Sequence, residues 1–142
     1  MDLVFIVRDA LASSAISNLV MAVEARKAGR EVAVLVTQDA LAAFADASFE
    51  WPRALSGPRR RMALADAGKQ LGIPVFARGD GRQLDAKATL AWAREAGVTV
   101  YACPVWTALL GLSENLPAGL DAIGSEEITA LLCDANQVVG SF

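Results

Sequence analysis

The chain contains no histidine, and its two thiols, Cys103 and Cys133, are the side chains with the most reactive chemistry to offer. Without an imidazole there is no Ser-His-Asp triad, no Cys-His pair, no His-ligated metal and no ordinary switch near neutral pH. Two cysteines alone cannot close a zinc site, so no metal is expected. The segment Arg78-Gly79-Asp80-Gly81 has neither the glycine count nor the spacing of a phosphate-cradling fingerprint and reads as a turn, so no cofactor is expected either. Cys103 follows the β-branched run Val98-Thr99-Val100-Tyr101-Ala102 and precedes Pro104, a residue suited to the first position of a helix. A helix starting there aims free N–H groups and the positive end of its dipole at the sulfur, which lowers a thiol pKa from about 8.5 toward neutrality. Such a thiolate accepts sulfur or is oxidised. The alternative reading of Cys103 is a small buried hydrophobe, the commonest fate of a free cysteine. Trp106 either shields the thiol in a pocket or packs in a core or an interface. Cys133, among Leu131, Leu132 and Ile128, has core spacing and reads as structural, and Glu126 and Glu127 read as helix-start residues.

The elements that must hold Cys103 alternate between short apolar runs and amphipathic stretches. Leu3 to Val7 and Val32 to Val36 are continuous apolar runs, as in strands covered on both faces. Between them, Ile16, Leu19, Val20 and Val23 recur at helical spacing over 13–27, with Ser13 or Ser14 as N-cap and Gly29 as stop. That unit is a right-handed βαβ crossover. Thr37 caps a short helix through Ala45. Ser48-Phe49-Glu50-Trp51-Pro52 and Ser56-Gly57-Pro58 then mark an irregular excursion, read as a lid or an oligomer contact. A helix follows from about Arg60 to Leu71, a third strand is expected over 73–77 with Pro74 placing it at an edge, and a further helix over 84–96. After the strand that ends at Cys103, a helix runs to Leu110 with Gly111 as stop. Ser125 caps a last helix through about Ala135, and 137–140 forms a final strand. The expected fold is α/β, a three-layer open sheet of about five mainly parallel strands with helices on both faces. In such sheets ligands gather at the carboxyl ends of the strands, here Arg8 and Asp9, Thr37, Arg78 and Cys103.

A chain of 142 residues fits a single domain spanning 1–142. Apolar residues make up 54% of it and 28 residues are Ala. A mean hydropathy of +0.38 points to a subunit that buries part of its surface against copies of itself. Disorder and a disulfide scaffold are excluded. Net charge is −3 over residues 1–50, +5 over 51–100 and −5 over 101–142, the last stretch having no Lys or Arg. Those acidic residues either meet the basic middle of the same or a neighbouring subunit or are simply solvated. A total of −3 and the lack of a basic stripe interleaved with aromatics argue against nucleic acid. The N-terminus has no basic leader and no apolar stretch nears 20 residues, so a soluble, cytoplasmic protein that does not meet the membrane is expected.

The order of these elements resembles the DsrE/DsrF-like family of small α/β proteins of sulfur relay and sulfur oxidation. The likeness is carried by Leu3 to Val7, Ala28-Gly29-Arg30-Glu31-Val32, Ala96-Gly97-Val98-Thr99-Val100-Tyr101-Ala102-Cys103, Gly111, and Asp134-Ala135-Asn136-Gln137-Val138-Val139. The resemblance implies a flavodoxin-like fold, a homotrimer or homohexamer, and a persulfide carried on the cysteine that corresponds to Cys103. It makes the protein a sulfurtransferase-like carrier that meets a sulfur donor and an acceptor. Arg8 then gives electrostatic support and Pro104 and Trp106 line the site. Leu109 and Leu110 stand where sulfur-relay members often carry basic residues, so thiolate stabilisation falls to the helix end, or to Arg8 or Arg78 across the strand tips. Two other functions fit the same residues: a non-catalytic oligomeric module holding a small ligand or an assembly, and a thiol redox sensor with Cys133 as resolving cysteine.

Overall fold

The computed structural model describes residues 1–76 and 83–140. Arg78, the turn Arg78-Gly79-Asp80-Gly81 and the end of the strand expected over 73–77 lie outside the described residues. The two runs of β-branched and large apolar residues form β1 (Leu3–Val7) and β2 (Val32–Val36), joined by α1 (Ala12–Lys27). Then come α2 (Gln38–Asp46), a 3-10 turn (Arg53–Leu55), α3 (Pro58–Leu71), α4 (Ala86–Glu95), β3 (Thr99–Ala102) and α5 (Pro104–Leu109). The chain closes through β4 (Asp121–Ala122), α6 (Ser125–Asp134) and β5 (Gln137–Val139). The five strands are all parallel, in the order β4-β3-β2-β1-β5.

That order fixes which face each helix covers. From β1 to β4 the chain steps along the sheet in one direction, and right-handed crossovers then put every connection on the same face. The step from β4 back to β5 runs the other way, so α6 crosses the opposite face. The side chains follow the two-residue period of the strands. Phe5, Val7, Val34, Val36, Val100 and Ala102 point into the larger core with α1, α2 and α4. Val4 and Leu35 point the other way, into a smaller core that α6 covers with Ile128, Leu131 and Leu132. Helices thus cover both faces, α1, α2, α4 and α5 packing on one and α6 on the other.

Several local expectations are corrected. Residues Ile73 to Phe76 form no strand; Phe76 makes only an isolated antiparallel bridge to Leu84. Pro74 has no N–H to give a ladder, and its carbonyl instead accepts from Thr89 Oγ1 at 3.1 Å. The fifth strand is β4, two residues too short to show a period. The α1 cap is neither Ser13 nor Ser14: Asp9 Oδ1 accepts from the Leu11 N–H and Asp9 Oδ2 from Ser14 Oγ, each at 3.0 Å. Thr37 precedes α2 without a side-chain cap bond, and Ser125 lies inside α6, whose N-cap is Gly124. Cys133 is exposed on α6, not in a core. The excursion after α2 is anchored at its start, where Phe49 is buried, Glu50 bridges Leu11 and Trp51 stacks on Phe76 at 5.2 Å between ring centroids.

Candidate functional site

The carboxyl ends of β1, β2 and β3 stand level with one another, since Val7 pairs with Val36 and Val36 with Ala102. Beyond them the ladder continues: the Thr37 N–H donates to the Val7 carbonyl at 3.0 Å and the Cys103 N–H to the Val36 carbonyl at 2.8 Å. The Cys103 carbonyl accepts from the Thr107 N–H at 2.8 Å. The residue is therefore held on both sides, as the first position after β3 and the N-cap of α5. Pro104 takes the first helical position and Gly111, at φ +68°, closes the turn after α5, as the sequence suggests.

The direction of the connections defines a crevice. Those leaving β1, β2 and β3 pass to the face of the larger core, where Trp106 of α5 and Leu110 just after it pack, whereas the one leaving β4 passes to the face of α6. Parallel sheets open a ligand crevice at the strand ends where the connections diverge. Here that point lies between β3 and β4. Cys103 directly follows β3 there, and Ile123 takes the corresponding place after β4, since Ala102 pairs with Ala122. Cys103 is half-buried and free, and its side chain packs with Tyr101 and Ile123 against the smaller core. The sequence does not announce Ile123 as a neighbour of Cys103, because β4 is two residues long and carries the charge of Asp121.

The other candidate residues are dispersed. Trp106 packs against the larger core, across the sheet from the cluster that holds Cys103, so it is a core residue and does not shield the thiol. Pro104 is half-buried beside Cys103. Arg8 is exposed at the end of β1, two strand spacings from β3, or about 10 Å between the strand ends. The charges that flank Ile123 in sequence are Asp121, paired with Arg94 at 2.9 Å, and Glu126 and Glu127 in the first turn of α6. Among the described residues no hydrogen bond reaches the Cys103 sulfur, and no three metal-ligating side chains gather. Two clefts lie away from Cys103. One of about 710 Å³ lines the start of α3, and one of about 490 Å³ lies between Phe44, Leu84 and Pro117. At the amino end of the sheet the Glu31 N–H, 2.8 Å from Asp2 Oδ2, holds the Asp2 carboxyl below its ordinary range.

A parallel five-stranded sheet in this order, with helices on both faces, is a flavodoxin-like α/β fold. The solved structure of the ychN protein from E. coli has this fold: it superposes with a TM-score of 0.62 over 99% of this chain and 98% of that chain, at 15% identity. The likeness is one of fold. No family model matches the chain, and no curated protein matches its sequence.

Proposed function

We propose that the protein is a small sulfurtransferase-like carrier in which Cys103 holds sulfur as a persulfide, working in the cytoplasm as a homotrimer or homohexamer. The observation that carries this reading is the position of Cys103 at the point where the connections diverge, between β3 and β4, while Cys133 lies out on α6. In the transfer the Cys103 thiolate attacks the outer sulfur of a donor persulfide. The new bond joins Cys103 to that sulfur, the donor's sulfur–sulfur bond breaks, and the donor leaves as a thiolate. An acceptor thiolate repeats the step on the loaded cysteine, so the two half-reactions balance without an external oxidant. Incubation with a persulfide donor is expected to add the mass of one sulfur atom to Cys103, read by peptide mass spectrometry, and Cys103→Ser should abolish the adduct. An unmodified Cys103 under conditions that load an established carrier would refute the reading.

A second reading, a non-catalytic module that binds a small ligand or assembles, is favoured by one observation: Cys103 is packed among apolar residues with no hydrogen-bond partner for its sulfur among the described residues. Retention of assembly and cellular function in Cys103→Ser would select it. A redox sensor needs a resolving thiol, and Cys133 lies exposed on α6 while Cys103 packs beneath that helix.

A further inference from the structure

Helix α3 is under-packed for its length. Of its 14 residues only Gly68 is buried, so close to Val75 that a Cβ there would lie 2.9 Å from Val75 Cγ2. Met62 is 68% exposed and Leu71 72%. A helix this short is marginal in water unless a face of it is packed. Its first turn also carries Arg59, Arg60 and Arg61, cations at the positive end of the helix dipole, where they are unfavourable unless an anion meets them. Among the described residues no ion pair reaches any of the three, and Nε of Arg61 is buried without a hydrogen-bond partner.

The complementary surface is on the same chain. Residues 101–142 hold five carboxylates and no cation, and of these only Asp121 is paired among the described residues, to Arg94 at 2.9 Å. Glu126, Glu127 and Asp134 line α6, a helix that buries only Ile128. The two surfaces are kept apart within one molecule: Gly68 rests on Val75 in the larger core, and α6 covers the smaller core across the sheet. A polyanion would satisfy the arginines and leave the acidic helix bare; a second copy satisfies both.

We infer that α3 of one copy docks on α6 of a second, with Arg59 and Arg60 meeting Glu126 and Glu127 and the contact covering Met62. The inference rests on the homo-oligomer reading above and names its interface. Because the two surfaces differ, the contact is head-to-tail and closes into a ring when the rotation allows. It also completes the site. Glu126 follows Ile123, the neighbour of Cys103, by three residues, so the contact brings a second copy's guanidinium groups to the rim of a crevice whose own segment has no cation.

The test is light scattering on the full chain after size exclusion. Arg59→Glu with Arg60→Glu, and separately Glu126→Lys with Glu127→Lys, are expected to raise the dissociation concentration of the assembly by about tenfold or more. All four changes together should restore it, a rescue that misfolding does not mimic. Assembly untouched by either pair overturns this interface and leaves the homo-oligomer standing; a wild type that is monomeric at every concentration overturns both. Dissociation without rescue overturns the pairing. A monomeric wild type that binds anionic vesicles through Arg59 and Arg60 assigns the face to a lipid surface instead.

Discussion

Cys103 owes its position to two backbone hydrogen bonds, one to Val36 on the sheet side and one from Thr107 on the helix side, so its placement depends little on its own side chain. Gln38, just past the end of β2, stands at φ +53°, a left-handed conformation that costs a residue with a Cβ about 1–2 kcal/mol. Gln38→Gly relieves that and gives back part in chain entropy, so a gain of about 0.5–1 kcal/mol is expected in urea unfolding; an unchanged or lower midpoint would sink the claim of strain. At the other end of the sheet, Asp2 accepts from the Glu31 N–H and the Asn136 side chain. A carboxyl depressed on folding contributes stability above its ordinary value of 3.8, and that contribution is lost as pH falls through the lower folded value. Asp2→Asn should therefore flatten the acid limb of the stability curve below pH 3.8, measured by thermal melts across pH. At this scale the sequence shows Cys103 plainly, because a β-branched run ending in Cys-Pro states both the strand end and the helix start. It does not show that Trp106 turns to the other core, since that depends on how α5 lies against the sheet.

Among the elements, those with long apolar runs are legible and those shaped by tertiary contact are not. Leu3 to Val7 and Val32 to Val36 appear with the boundaries read from the sequence, because strands buried on both faces need nothing but apolar residues. Ile73 to Phe76 is equally apolar, yet Pro74 withholds a donor and the stretch becomes a connection. Asp121–Ala122 carries a charge and no period, and pairs because Arg94 holds Asp121 and Tyr101 and Ala102 offer an edge. Helix α4 is a case where local chemistry alone sets the start: Asp85 Oδ1 accepts from the Ala88 N–H at 3.0 Å. Asp85→Ala should cost about 1 kcal/mol. A loss below a few tenths, measured by chemical denaturation, would mean that packing of Thr89, Leu90 and Ala93 places the helix without its cap.

Across the whole molecule, the excess of apolar residues is used mainly on one side. The uneven coverage follows from the strand order, and it leaves the cover over Cys103 as the last part of the fold to be secured. The pairing of Leu3 with Gln137 closes nearly the entire chain into a loop, through a strand of three residues. Contacts of that range are the slowest to form and cost the most closure entropy. With only Ile128 buried in α6, the unit of α6 and β5 is expected to open locally well before the rest unfolds. Native-state amide exchange should then show β5 exchanging by a low-energy opening while β2 exchanges only with global unfolding; equal protection in both would contradict it. The same opening bares the underside of the crevice, so the alkylation rate of Cys103 should report the frequency of a breathing motion rather than the width of a channel, and stabilising β5 against β1 should slow the thiol's chemistry without touching the thiol.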